Sequence, residues 1–352
     1  MAEPSSPYDL TLPELTVWLA EQGEPGYRAR QIFDGLYKQG VKAMEEFTQL
    51  PIGLRGILAR RFPLRPLVPV QHRVAEEGTQ KWLSRLPDGQ LIETVLIPAD
   101  SRRTLCVSTQ VGCAYSCAFC ASGLDGFKRD LTAGEIVQQV VLANESLRPE
   151  RVSHVVFMGM GEPLSNYDNV LRAIRILNSP EGLRIGARRM TISTVGLVPM
   201  MERLAQEGLQ VELSVSLHAP NDRLRGQIMP VNRKYPVSQL VEACRAYAKK
   251  TKRLITFEYI LMDQVNDGPE QARELARLLK GLPCKVNLIP CHPIPGVPFQ
   301  RPPQRRMLAF ERALRKSKIA CTLRKSRGLE IEGACGQLRL RQLEGAKPAA
   351  VE

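Results

Sequence analysis

Cys113-Ala-Tyr-Ser-Cys117-Ala-Phe-Cys120 packs three thiols into a short stretch with the spacing C-x3-C-x2-C. So short a segment needs no regular secondary structure to curl its sulfurs around one centre. Thiolates are soft ligands that select iron–sulfur clusters, Zn and Cu(I). A structural Zn site closes four ligands around the ion, whereas a site that takes a substrate keeps a position open. Three local thiols on a four-iron cluster leave one iron without a protein ligand. The stretch therefore reads as a metal loop with an open position, and the plainer alternative is a purely structural metal loop.

The elements around that loop decide the fold class. Strand-like runs at 103–109, 152–158, 189–195, 211–217, 254–261, 284–290 and 319–324 alternate with helical patterns at 132–147, 167–178, 198–207, 236–250, 268–281 and 304–316. Such βα repetition predicts an α/β chain built on a parallel sheet, open or closed into a barrel. In either form ligands gather beyond the C-terminal ends of the strands. The cysteine loop follows the first strand and Met158-Gly-Met-Gly-Glu-Pro163 the second. Ser193-Thr-Val-Gly196 ends the third, Ser216-Leu-His218 the fourth, and Pro290-Cys-His292 follows the sixth. No one of these is specific. Their convergence on one rim is the stronger argument.

Upstream, helical spacing at 10–22, 26–39, around 42–48 and around 52–60 predicts a small helical module, with Gly53 and Gly56 weakening the last element. Arg55, Arg60 and Arg61 fall within about two helical turns of one another, on a face that suits either solvent or RNA. From 66 to 98 short strands take over, with Pro87-Asp-Gly89 as a turn between two of them. Glu93 lies in an otherwise apolar strand, and on pattern alone a solvent-facing carboxylate is the first expectation. The domains expected are a helical module at 1–65, a β extension at 66–98, a core at 99–340 and a flexible tail at 341–352.

Composition bounds the partners. The chain has 352 residues, 43% of them hydrophobic, enough for one α/β barrel and an accessory module. Its 49 Lys and Arg against 36 Asp and Glu leave a formal charge of +13, which suits a polyanion, nucleic acid first. Nine cysteines are too few and too unevenly spaced for a disulfide scaffold, and with a metal-type loop they point to a reducing cytoplasm. Neither a signal peptide nor a membrane span is expected, since the N-terminus has no apolar h-region and no run of 18 apolar residues occurs.

Six stretches then occur in order: Cys106-Val-Ser-Thr-Gln-Val-Gly-Cys113, the cysteine loop, Gly159-Met-Gly-Glu-Pro163, Ser216-Leu-His-Ala-Pro220, Val265-Asn-Asp-Gly268 and Gly333-Ala-Cys-Gly-Gln-Leu338. They resemble the RlmN/Cfr family of radical S-adenosylmethionine (SAM) RNA methyltransferases, from about Tyr27 to about Leu338. The A-C-G-Q-L stretch is the specific part, because other radical SAM enzymes lack it. The resemblance implies a partial (βα)6 barrel with a helical N-terminal module. It implies a [4Fe–4S] cluster on Cys113, Cys117 and Cys120, and SAM contacts from Gly161, Glu162, Ser193, Ser216, Leu217 and His218. At the sixth strand end the family usually shows Asn where this chain has Cys291-His292, so His292 is a departure there.

By the same resemblance, Cys335 and Cys106 are the chemical pair. One SAM methylates Cys335, and a second is cleaved to a radical that takes hydrogen from that methyl group. The resulting carbon joins adenine, Glu93 accepts the ring proton, and Cys106 resolves the protein–RNA crosslink through a disulfide. Cys244, Cys284, Cys291 and Cys321 sit in apolar patterns and read as buried and inert. The implied substrates are 23S rRNA and tRNA, methylated at adenine carbon 2, with a reducing donor such as flavodoxin and a monomeric enzyme. The alternative within the family is Cfr-type methylation of carbon 8. Arg324-Lys-Ser-Arg-Gly328 and Val111 resemble the RlmN branch more closely. From another class, the alternative is a non-catalytic RNA-binding module with Zn in the cysteine loop.

Overall fold

The structure, a computed structural model, describes residues 4–124, 126–294, 296–324, 331 and 338–339. Thr11 and Glu14 form a reciprocal capping box that, with Pro13 in the first turn, starts α1 (Leu12–Glu21). α2 (Tyr27–Asp34) runs on through a wider turn over 35–39 and stops at Gly40. The helix expected at 42–48 is a single 3-10 turn, Met44–Glu46. Its backbone leaves the helical path at Phe47, whose ring is fully buried against Gly35. α3 (Ile52–Arg61) forms despite its two glycines, because Leu54 and Leu58 bury one face of it and packing outweighs propensity.

The strands that follow are β1 (Val68–Val74), β2 (Gln80–Arg85), β3 (Leu91–Ala99) and β4 (Arg102–Cys106). A small hairpin of β5 (Gln110–Val111) and β6 (Arg129–Asp130) then brackets the cysteine loop and the short α4 (Ala121–Leu124). Next come α5 (Ala133–Leu147), β7 (His154–Phe157), α6 (Tyr167–Asn178), β8 (Met190–Thr194), α7 (Val198–Leu204) and β9 (Glu212–Ser216). The remainder is α8 (Asp222–Ile228), α9 (Val237–Thr251), β10 (Ile255–Leu261), α10 (Pro269–Leu278), β11 (Cys284–Pro290), α11 (Gln304–Lys316) and β12 (Ala320–Leu323).

One ten-stranded sheet carries all of this, in the order β1-β2-β3-β4-β7-β8-β9-β10-β11-β12. From β4 onward the neighbours pair parallel, and β1 to β4 pair antiparallel, so the β extension and the βα repeat share one sheet. β12 adds a parallel strand beyond the six of the expected barrel. The order is linear, with β1 and β12 as edges among the described residues.

The two faces of the sheet differ in chemistry. Leu213, Val215, Phe257, Tyr259, Val286 and Leu288 are fully buried on the helix side, where the Tyr259 ring meets Phe310 of α11. The alternate residues share the other face by register: Ser193 beside Ser214, and Ser216, Glu258 and Asn287 in one row. There the Glu258 carboxylate accepts hydrogen bonds from Ser214 Oγ (2.6 Å) and Asn287 Nδ2 (3.0 Å). A parallel sheet covered on both faces reads as continuous apolar runs. These strands alternate because one face is packed in apolar side chains and the other carries polar groups that bond one another.

The packing of the N-terminal module is testable at its tightest glycine. A Cβ on Gly35 would sit 2.2 Å from the Phe47 ring. Gly35→Ala is expected to lower unfolding stability by about 1–3 kcal/mol in chemical denaturation. Gly53→Ala, where a Cβ meets nothing within 4 Å, should be neutral or stabilising by up to about 1 kcal/mol. Equal stability of the two variants would contradict this packing.

Candidate active site

The cysteine loop follows β5 and is gripped from three sides. The Cys113 N–H donates to Gly126 O (3.2 Å), and the Ala118 N–H to Ile228 O at the end of α8 (2.9 Å). The Phe119 ring meets the His218 ring edge-on at 4.8 Å. Gly112 has a φ of +74°, and a Cβ there would lie 1.7 Å from Gly126 O, so the chain can close on itself only at glycine. Burial pushes the Cys113 thiol up to about 12 and the Cys117 thiol higher still, and a charge on Cys120 would raise both further. The three sulfurs thus sense one another's charge. Among the described residues no three His, Cys, Asp or Glu side chains converge on a single-ion site. A cluster gives each thiolate its own iron and spaces the sulfurs more widely than one ion does. Three neighbouring thiols, two of them desolvated, whose charge metal cations can neutralise fit a cluster loop.

The loop after β7 is locked against the segment after β4. The Thr109 N–H donates to Met160 O at 2.8 Å, and the Met160 N–H to Ser108 Oγ at 3.0 Å. A Cβ on Gly159 would meet the Val107–Ser108 backbone at 2.7 Å, and one on Gly161, at φ +97°, the Gln110 side chain at 2.4 Å. Glu162 is buried. Its Oε2 accepts the Val195 N–H (2.8 Å) and its Oε1 the Leu164 N–H (3.0 Å), so the carboxylate ties the loop after β7 to the end of β8. Desolvation outweighs those bonds and lifts its pKa from 4.5 to about 7.

Ser193 and Ser216 lie half-buried on the polar face, at the ends of β8 and β9. Leu217 is fully buried. His218 is buried at φ +58°, and its Nδ1 accepts the Ile260 N–H at 3.0 Å, leaving the proton on Nε2. Burial holds its pKa down at about 3, so the ring is neutral at any working pH. His292 stands half-buried just past β11, with its pKa lowered first by burial and then by Arg301.

Cys106 is the last residue of β4, buried, opposite Val95 of β3 and beside Val156 of β7. Glu93 shares its face of the sheet, two residues along β3 from Val95, a diagonal offset of about 7–8 Å. The solvent-facing expectation for Glu93 is overturned. The side chain is buried and pairs with the equally buried Lys81 of β2 at 2.9 Å. Its other oxygen accepts the backbone N–H of Arg339 at 2.7 Å. The segment that follows the A-C-G-Q-L stretch therefore reaches the corner holding Cys106 and Glu93. Cys335 itself, most of Arg324–Gly328 and the 341–352 tail lie outside the described residues. No disulfide joins any two of the eight described cysteines. Of the four expected to be inert, Cys244, Cys291 and Cys321 are buried, Cys284 is half-buried, and desolvation raises the pKa of each.

Comparison with known proteins decides what this arrangement belongs to. The family model for the radical SAM superfamily matches residues 107–279, and that for the ribosomal RNA large subunit methyltransferase N-terminal domain matches 8–63. The dual-specificity RNA methyltransferase RlmN of Syntrophobacter fumaroxidans is 49% identical over 337 residues, 96% of this chain and 98% of that protein. The chain belongs to the RlmN family of radical SAM RNA methyltransferases. A probable RlmN of Symbiobacterium thermophilum is also 49% identical, across 94% of this chain and 90% of the relative. The crystal structure of a radical SAM methyltransferase from Sphaerobacter thermophilus superposes with a TM-score of 0.92 at 52% identity, covering 95% of this chain and 99% of that one.

RlmN membership brings the family's cofactors, a [4Fe–4S] cluster and SAM, with two SAM molecules per turnover. It also sets aside the non-catalytic Zn module. Two residues of the site escaped the sequence reading. Lys81 looked like one more polar residue of a strand, and only the β2–β3 register brings it to Glu93. Arg225, fully buried beside the cysteine loop, is indistinguishable in sequence from its exposed neighbour Arg223.

Glu162 gives a pH signature in protein prepared without the cluster. Its folded pKa lies above the unfolded one, so the folded state holds the extra proton between pH 4.5 and about 7. The resulting stability is complete below pH 4.5 and is lost as pH rises through 7, by up to about 3 kcal/mol. Glu162→Gln should flatten that part of the stability–pH curve. An unchanged slope in the variant would show that another group carries it.

Proposed function

We propose that this chain methylates carbon 2 of an adenine in 23S rRNA at the peptidyl-transferase centre, and of the adenine at position 37 of some tRNAs. The observation that carries the reading is the Arg339 N–H on the Glu93 carboxylate, which brings the chain four residues after Cys335 to the Cys106 corner. In this reading Cys113, Cys117 and Cys120 hold the cluster. Gly161, Glu162, Ser193, Ser216, Leu217, His218 and His292 line the SAM site at the adjoining strand ends. His292, in place of the family's usual Asn, offers one ring hydrogen bond there.

Adenine carbon 2 belongs to an electron-poor ring and does not attack a methyl sulfonium, whereas a thiolate does. The Cys335 thiolate would take the methyl group of the first SAM, forming a new S–C bond as the sulfonium S–CH3 bond breaks and S-adenosylhomocysteine leaves. When bound, the cluster and the second SAM supply one electron and the hydrogen abstraction that makes the Cys335 methyl carbon a radical. That carbon bonds to the adenine. A one-electron acceptor, such as the cluster in its oxidised state, would take the surplus electron, and Glu93 accepts the ring proton. The Cys106 thiolate then attacks Cys335 sulfur, breaks the S–C bond and leaves a disulfide. The released carbon takes a solvent proton and becomes the methyl group. A low-potential donor such as flavodoxin serves the monomeric enzyme in the cytoplasm. The charge of +13 favours RNA phosphates.

The decisive experiment separates the two thiols. Cys335→Ala should form neither S-methylcysteine nor an RNA adduct. Cys106→Ala should carry methylated Cys335 and stall as a covalent protein–RNA species by intact mass. Recovery of Cys106→Ala free of RNA, under conditions where wild type is active, would sink the assignment. Mass spectrometry of the RNA product should place the methyl on carbon 2, and methylation at carbon 8 instead would move the enzyme to Cfr-type chemistry.

A further inference from the structure

Arg225 of α8 is fully buried, and all five of its N–H donors go to neutral oxygens. Nε–H donates to Leu217 O (3.2 Å), Nη1 to Asn232 Oδ1 (3.0 Å) and Tyr235 O (3.3 Å), and Nη2 to Val195 O (2.7 Å) and Ser216 O (3.1 Å). The carboxylate of Asp222 stands one shell further out, accepting from Asn232 Nδ2 (3.0 Å) and from the Val237 N–H (2.7 Å). With every donor engaged, Arg225 has none to offer an incoming anion such as a SAM carboxylate. Its charge remains. Buried charges are normally matched by an opposite charge, and among the described residues no carboxylate forms an ion pair with Arg225.

The missing anion has a place. Arg225 lies one turn before Ile228, whose carbonyl holds the Ala118 N–H inside the cysteine loop. The loop residues on either side of this contact are tied to the same structure: Ala118 follows Cys117 directly, and the Phe119 ring packs on His218, whose preceding residues Ser216 and Leu217 give Arg225 their carbonyls. Three thiolates around a [4Fe–4S] core make an anionic assembly, and reduction by an external one-electron donor adds a further negative charge. In a poorly screened interior a fixed cation stabilises the more negative state.

We propose that Arg225 is the fixed counter-charge of the cluster, a positioning residue that favours its one-electron reduction without touching SAM or RNA. This rests on the assignment of Cys113, Cys117 and Cys120 as cluster ligands.

The test is a redox titration of anaerobically purified, iron-loaded protein, following the reduced cluster by electron paramagnetic resonance with dithionite and mediators. Arg225→Gln should lower the reduced-to-oxidised ratio about tenfold at the poise that half-reduces wild type, a shift of about 59 mV for a one-electron couple. Asp222→Asn keeps the acceptor oxygen but removes a negative charge linked to Arg225 through Asn232, so the ratio should rise, by about twofold or more. A role confined to holding the strand ends together predicts no such opposition of sign. If Arg225→Gln fails to retain iron, Asp222→Asn alone decides. An unshifted or lowered ratio in Asp222→Asn, or a wild-type potential in iron-loaded Arg225→Gln, overturns the proposal. Wild-type protein that binds no iron would instead overturn the cluster assignment beneath it.

Discussion

The guanidinium of Arg225 gathers the carbonyls of Val195, Ser216, Leu217 and Tyr235 around one buried charge. Those oxygens come from the ends of β8 and β9 and from the turn before α9, where strands have run out and carbonyls would otherwise lack partners. Glu162 does the complementary work with N–H groups, holding Val195 and Leu164. Val195 is therefore fixed from both sides, its N–H by a carboxylate and its carbonyl by a guanidinium. At the rim that faces the cysteine loop, backbone groups without strand partners are tied to buried ionisable side chains.

The sheet explains why the polar groups collect on one side of the rim. Its helix side is apolar and closed, while its other side carries Ser193, Ser214, Ser216, Glu258 and Asn287 in register. At the β1–β4 end the same face carries the buried Lys81, Glu93 and Cys106, and Glu93 is bonded to the segment at Arg339. A buried Lys–Glu pair gains little stability over an apolar pair. Its presence beside Cys106 accords with the proton-accepting role proposed for the Glu93 carboxylate. The C-terminal segment and the β extension thus build one corner, though some 240 residues separate them in sequence.

The βα alternation, the cysteine spacing and the glycine-rich turns were legible in the chain because each is a local pattern: period two in strands, 3.6 in helices, ligands within one loop. Those patterns place the cysteine loop, Gly161, Glu162, Ser216 and His218 on one rim, and the structure keeps them there. Local rules also failed in a local way. The stretch at 42–48 had helical spacing but gave only Met44–Glu46, because the burial of Phe47 against Gly35 set the backbone path.

What only the tertiary structure decided are the long-range pairings. Glu93 read as solvent-facing because a carboxylate in an apolar strand usually is. Its burial depends on Lys81 across the hairpin and on Arg339 from the far end of the chain. Arg225 and Arg223 are two residues apart and alike in sequence, yet one lies at the centre of the site and the other on the surface. A charge takes its role from what surrounds it in space. Sequence determined which chemistry this chain carries, because ligand type and spacing are local. Folding determined which charges are buried against that chemistry, because desolvation and pairing depend on neighbours that no local pattern names.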